Sequence, residues 1–173
     1  MNIEDRIALH RRMAEAYRDA YRKQAVQEGA TYAEWQFADH AEYSSPYFTC
    51  NEVLDLSNVS ISVADYATTE AKAYTVRFPD WGPAEFKCWP AENGFVMKTR
   101  FEGTAKDDGT KMTFHSYGFV ETDEQGLIKR WETHVNGEEY GPFLERAIGV
   151  RGPFPDQTVY HDALTRTLKE GGF

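Results

Sequence analysis

The sequence predicts an α+β domain in which N-terminal helices pack on one face of a curved antiparallel sheet and form a cone-shaped pocket. Two observations predict this fold. Residues Asn93 to Asn136 alternate in character along three successive segments, as the strands of a β-meander do. The segments before them carry apolar residues at three- and four-residue spacing, which is typical of helices. The open end of such a fold is a natural ligand site.

The helices are predicted from this periodicity and from their capping residues. Ile3 to about Glu28 is expected to form the first helix, with Gly29 at its end. A capping-box pattern then begins a short second helix over about Tyr32 to Phe37. A short strand, Glu42–Tyr43, follows, and Val63 to Val76 is predicted to form the third helix.

The strands are predicted from alternation with a period of two. Ala84–Trp89 begins the sheet, and the meander continues through Phe95–Thr104, Thr110–Glu121 and Leu127–Asn136. Turns rich in Asp and Gly separate the last three segments. Glu138 to Ile148 is expected to return to helix.

The chain is expected to hold a single domain over residues 1–148. Residues 46–60 have no clear period and are interpreted as a covering loop. Residues 149–173 are predicted to be a C-terminal extension that packs on the domain or on a dimer partner, with a short helix over Asp162–Lys169.

Composition excludes several classes of function. The formal net charge of −9 argues against a nucleic-acid partner, and no polybasic run suits an anionic membrane. No apolar run approaches the ~20 residues of a membrane span, and the N-terminus does not resemble a signal peptide. Cys50 and Cys88 lack metal spacing and are interpreted as reduced thiols. These features predict a soluble, cytoplasmic protein.

Three segments resemble known proteins. Gly126 to Asn136 is similar to the closing strand of the nuclear transport factor 2-like superfamily, and within it of the SnoaL-like proteins. Phe78–Trp81 and Ile128–Arg130 resemble the phenazine-biosynthesis A/B proteins. Phe37–Pro46 resembles a junction in the ketosteroid isomerases. The resemblance implies the fold described above and a homodimer, but the superfamily hosts isomerases, hydrolases, cyclases, lyases and binding proteins.

The chain departs from these relatives at their acids. Ser45 stands where ketosteroid isomerases carry an Asp base, and Thr133 stands where phenazine proteins carry a Glu and limonene-epoxide hydrolases an Asp. Arg100 and Glu102 resemble the Arg-x-Asp pair of the epoxide hydrolases. Glu70 lies near the His of the phenazine proteins and is expected to be an exposed helix residue. The chain therefore lacks the complete set of catalytic residues of any of these three families.

The candidate site is the charged face of the meander. Lys98, Arg100 and Glu102 share one face of its first strand, and folding about the turn is expected to place His115 and Tyr117 opposite them. His115 and Glu102 could exchange protons near neutral pH, and Arg100 could hold an anionic oxygen. The alternative interpretation is an ordinary solvated sheet face.

Two further groups of residues complete the candidate site. In the preferred register of the last strand, Trp131 and Thr133 stand beside Tyr117 and His115, whereas a slip of one residue would place Glu132 and His134 there. From the first helix, Tyr17 and Tyr21 are expected to reach the same cavity. The resemblance to ketosteroid isomerases implies a hydrogen-bond donor near Tyr21.

No metal-ligand spacing, phosphate-binding loop, dinucleotide fingerprint or Gly-x-Ser-x-Gly motif is present, so a cofactor-free reaction is inferred. The leading hypothesis is a lyase or isomerase that acts by acid–base catalysis on a hydrophobic, oxygenated aromatic molecule. The resemblance includes the superfamily's lyases, which release formaldehyde from lignin-derived diarylpropanes. The alternatives are a polyketide-type cyclase, an epoxide-hydrolase-like enzyme and a non-catalytic binding protein.

Overall fold

The computed structural model describes residues 1–22, 35–49, 52–58 and 63–173, and it confirms the α+β class. In chain order the described elements are α1 (Ile3–Ala20), β1 (Phe37–Ser44), β2 (Val53–Asp55), a 3₁₀ turn (Leu56–Asn58), α2 (Val63–Arg77), β3 (Gly82–Ala91), β4 (Gly94–Thr104), β5 (Lys111–Thr122), β6 (Ile128–Val135), α3 (Gly137–Ile148) and α4 (Gln157–Glu170).

The strands form one open, six-stranded sheet in the order β2-β1-β6-β5-β4-β3. The meander pairs as predicted, since β3 to β6 run antiparallel to their neighbours in sequence. The sheet is mixed, however, because β1 runs parallel to β6. These two strands lie far apart in the chain, so no tight hairpin forces them to run antiparallel. The predicted antiparallel sheet is therefore confirmed at every described strand pair except this one.

Several predicted boundaries differ from the observed ones. The described part of α1 ends at Ala20, and Gly29 and the first half of the predicted second helix lie outside the described residues. Phe37 begins β1 instead of ending that helix. Residues 53–58 form β2 and the 3₁₀ turn, where a covering loop was expected. α4 begins earlier than predicted because the Asp156 side chain accepts a hydrogen bond from the Thr158 amide at 2.7 Å.

The described helices that contact the sheet pack on the face that carries its buried residues. On that face Phe101 of β4 stacks on Trp81 at 4.9 Å between ring centroids, and Phe114 of β5 packs on Phe143 of α3 at the same distance. α4 buries Tyr160 and Leu164 against this layer. The inner face of the sheet, beneath the helices, is therefore the core of the protein.

A fully buried histidine joins α1 to the sheet. The Nδ1 atom of His10 lies 2.7 Å from the carbonyl oxygen of Ala91, and its Nε2 atom lies 2.8 Å from the hydroxyl of Thr122. A carbonyl can only accept, so Nδ1 carries the proton and Nε2 accepts from Thr122. Both ring nitrogens of this buried side chain are therefore satisfied.

No helix in the described part of the chain combines the length and the apolar character that a membrane crossing requires.

Candidate active site

The structure confirms the predicted register of β4 and β5. Lys98 lies opposite Tyr117, and Arg100 lies opposite His115. These side chains and Glu102 lie on the face of the strands opposite to the buried residues, however, and remain partly exposed. The inner face of β4 carries the alternate residues, which include the buried Phe101. The expectation that the charged face lines the pocket is therefore wrong, because its residues alternate with the ones that form the core.

The preferred register of the last strand is also wrong. Tyr117 pairs with His134, while Thr133 pairs with Gly118 on the inner face. An irregularity between Glu121 and Thr122 shifts the pairing of β5 and β6 at the start of β6. Since side chains alternate with a period of two, this one-residue difference exchanges the two faces of the strand. The slipped register that was the alternative is the observed one.

Ion pairs cover the outer face. Arg100 donates to Glu102 at 2.8 Å and to Glu85 at 3.0 Å, and the bond from Arg100 is the main cause that lowers the pKa of Glu102. The Nδ1 atom of His115 lies 3.0 Å from a carboxylate oxygen of Glu139. Such ion pairs are typical of a charged, partly exposed sheet surface, and each contributes little to the stability of the fold. The proposed catalytic roles of Arg100, Glu102 and His115, and the substrate contacts of Lys98 and Tyr117, stay predictions.

The other predicted site residues lie inside. Tyr17, Tyr21, Trp131 and Thr133 are all buried. The ring of Trp131 lies 6.5 Å from that of Tyr17, 5.0 Å from that of Trp35 and 4.9 Å from that of Tyr43. α1, β1 and β6 therefore bring an aromatic cluster together over the inner face of the sheet.

Polar atoms without partners lie in this cluster. Ser45 Oγ, Thr133 Oγ1 and Trp131 Nε1 are buried and have no hydrogen-bond partner among the described residues. Burial raises the pKa of Tyr43, and the nearby hydroxyls of Thr133 and Ser45 oppose this rise. Neither hydroxyl meets the geometry of a hydrogen bond to Tyr43. Most buried polar groups in proteins are paired, so three unpaired groups at one place call for a ligand or a functional explanation.

A carboxylate lies within electrostatic range of the tyrosines of this cluster. Glu70 of α2 is half-buried and accepts a hydrogen bond from the hydroxyl of Tyr160 at 2.9 Å. Burial raises the pKa of Tyr17 and of Tyr43, and the negative charge of Glu70 raises both further. Glu70 therefore lies within electrostatic reach of two tyrosines that belong to different elements.

The expectation that Glu70 is exposed is wrong, and the sequence contains the signal that corrects it. Glu70 precedes the fully buried Tyr74 by four residues, which places both on one face of the helix. Ser45 is likewise buried, directly after the end of β1.

Comparison with known proteins finds solved structures of low sequence identity. No family model matches, and no curated protein matches. A phenazine biosynthesis-related protein from Pseudomonas aeruginosa is 16% identical over 86% of each chain, with a TM-score of 0.49.

Two further solved structures are similar at the same level. A nuclear transport factor 2-like protein from Burkholderia thailandensis is 13% identical over 83% of this chain and 98% of its own, with a TM-score of 0.46. A hypothetical protein from Catenulispora acidiphila with a ketosteroid isomerase-like fold is 9% identical over 78% and 91%, with a TM-score of 0.45. The function proposed below rests on the geometry of the interior.

Proposed function

We propose that this chain is a cofactor-independent enzyme that performs acid–base chemistry in its interior on a hydrophobic, oxygenated aromatic molecule. The observation that carries the proposal is the position of Glu70, whose charge acts on Tyr17 and Tyr43 beside a cluster of unpartnered polar atoms. A base, neutral donors and an aromatic lining are the parts that such chemistry requires.

The unpartnered atoms indicate what would bind. Each buried polar group without a partner costs about 1–3 kcal/mol, and a ligand that supplies the missing bond recovers that cost. Ser45 and Thr133 offer hydroxyls that can donate or accept, whereas the Trp131 indole can only donate. The rings of Trp35, Trp131 and Tyr43 would pack on the aromatic parts of the ligand. An aromatic compound with several oxygen atoms fits these contacts.

The tyrosines suit the role of donors. Because burial and the charge of Glu70 both raise the pKa of Tyr17 and of Tyr43, each keeps its proton at neutral pH. A neutral phenol can then donate to an oxygen that gains negative charge in the transition state. Glu70 would act as the base: it would remove a proton from the substrate, and the loss of that proton creates the negative charge on the oxygen.

Within this class we propose a lyase reaction on a diarylpropane diol that bears a phenol. Loss of the benzylic hydroxyl as water, with loss of the phenolic proton, gives a quinone methide. Glu70 then takes the proton of the terminal hydroxyl, the bond to the terminal carbon breaks, and formaldehyde leaves. The electron pair moves into the quinone methide and restores the phenolate, so the products are a stilbene, formaldehyde and water. Isomerisation by the same base and donors is the related alternative.

The test is incubation with a phenolic diarylpropane diol, with formaldehyde measured chemically and the stilbene measured by its absorbance. We expect both products in equal amounts, and Glu70→Gln should lower kcat by about a hundredfold or more, the scale of a lost general base. Wild-type turnover by Glu70→Gln would overturn the assignment of the base. Binding of the diol with no product would identify a binding protein, and oxygen from labelled water in the product would identify a hydrolase.

A further inference from the structure

Three buried tyrosine hydroxyls form a chain that ends on Glu70. The hydroxyl of Tyr140 lies 2.6 Å from that of Tyr74, which in turn lies 2.5 Å from that of Tyr160. Tyr160 reaches a carboxylate oxygen of Glu70 at 2.9 Å. The three rings are at most 2% exposed, and they come from α3, α2 and α4. The chain of hydroxyls thus joins the C-terminal helix to the carboxylate.

Counting protons fixes the direction of these bonds. An ionised carboxylate can only accept, and each phenol has a single proton to donate. Tyr160 therefore donates to Glu70, which leaves its oxygen to accept from Tyr74. Tyr74 in turn accepts from Tyr140. All three protons point towards the carboxylate, and bonds aligned in this way polarise and strengthen one another.

We propose that Tyr160, supported by Tyr74 and Tyr140, is a positioning residue that holds Glu70 ionised and fixes its orientation as a base. This inference rests on the proposed function of Glu70. It gives the C-terminal helix a part in the chemistry, although that segment lies beyond the predicted domain of residues 1–148. Tyr160 acts through Glu70 and is not assigned a contact with the substrate.

The surroundings of Glu70 explain why a donor is needed there. In the part of the chain that the structure describes, five phenols interact with Glu70, each from a different element: Tyr17 of α1, Tyr43 of β1, Tyr74 of α2, Tyr140 of α3 and Tyr160 of α4. Burial and the charge of Glu70 raise the pKa of the first four, so these groups are neutral. Desolvation favours the neutral form of a carboxyl group, and hydrogen bonds to the charged form oppose that effect.

The test is the pKa of Glu70, measured by NMR on protein labelled with ¹³C at the glutamate carboxyl carbons. The Glu70→Gln variant assigns the signal. Tyr160→Phe removes the donor and keeps the ring, so the pKa of Glu70 should rise by about one unit, a tenfold change in its protonation equilibrium. Tyr140→Phe is the matched control, since its hydroxyl is lost two bonds further along the chain and should shift the pKa less.

A second substitution covers the case in which Tyr160→Phe does not fold. Placing 3-fluorotyrosine at position 160 keeps the hydroxyl and makes it a stronger acid, so the pKa of Glu70 should fall. An unchanged pKa of Glu70 in both proteins, or an equal shift in Tyr140→Phe, would overturn the proposal.

Kinetics separate this inference from the function on which it rests. In Tyr160→Phe the acidic limb of the kcat/KM profile should move to higher pH together with the pKa of Glu70, and activity should recover at high pH. If Glu70→Gln retains full turnover, the proposed function fails while the NMR titration still decides whether Tyr160 holds the carboxylate. If Glu70→Gln is inactive and the titration of Tyr160→Phe is unchanged, only the inference fails.

Discussion

Removing the unpartnered hydroxyl of Thr133 should stabilise the ligand-free protein, whereas most core substitutions destabilise. Thr133 is 8% exposed, and its Oγ1 atom has no hydrogen-bond partner among the described residues. Thr133→Val replaces the hydroxyl by a methyl group of similar shape and removes an unpaired buried group that costs about 1–3 kcal/mol. Allowing for imperfect packing of the new methyl group, we expect a gain of about 1 kcal/mol, or about 2–4 °C in Tm for a domain of this size.

Thr122→Val is the matched control. Thr122 is also a buried threonine on the inner face of a neighbouring strand, but its hydroxyl lies 2.8 Å from His10 Nε2. The same substitution there leaves a buried acceptor unpaired and should lower stability by about 1–3 kcal/mol. Thermal unfolding followed by circular dichroism measures both variants. A loss of Tm in Thr133→Val equal to that in Thr122→Val would refute the reasoning, since it would show that the Thr133 hydroxyl is already satisfied.

Three further predictions concern the pH dependence, the outer face and the oligomer. Burial raises the pKa of Tyr17, Tyr43, Tyr74 and Tyr140, so their contribution to stability is fully present below pH ~10, where unfolded tyrosine ionises, and is lost as the pH rises further. Urea unfolding should therefore show a falling free energy of unfolding above that pH, and constant stability to pH 12 would contradict the burial. Arg100→Ala should keep kcat within about threefold of wild type, while Glu70→Gln should lower kcat by about a hundredfold. A large loss of kcat in Arg100→Ala with little loss in Glu70→Gln would indicate that the active site lies on the outer face. The homodimer implied by the resemblance should appear in light scattering at about twice the 19.8 kDa of the chain, and a single-chain mass would contradict it.

The sequence predicts the fold correctly where a local pattern determines how the strands pair. Alternation and the turn after Thr104 determine how Arg100 meets His115, and that pairing is correct. Alternation leaves two registers open for the last strand, and the irregularity near Thr122 that selects between them has no clear sequence signal. Because polar residues occur on both faces of β4 and β5, alternation alone does not say which face meets the helices.

The same ambiguity makes the outer face the expected centre of the site, although the predicted residues Tyr17, Tyr21, Trp131 and Thr133 lie in the interior. Thr99, Ser116 and Thr133 make the inner face appear less apolar than a core usually is, while the charges of the outer face attract attention as catalytic groups. Glu70 could be placed only by combining its spacing from Tyr74 with knowledge of which elements pack on α2. Its bond to Tyr160 joins residues far apart in the chain, and no local pattern predicts such a contact.

The most direct test of the interior site is the response of the four tryptophan indoles to a phenolic diarylpropane diol in ¹H–¹⁵N NMR. Trp131 is buried, and its indole N–H has no partner in the described part of the chain, whereas Trp89 is 53% exposed on the outer face. Trp131→Phe and Trp89→Phe assign the two signals. Binding in the interior should shift the Trp131 signal and leave that of Trp89 unchanged. A shift of Trp89 with Trp131 unmoved would place the ligand on the outer face and contradict the account.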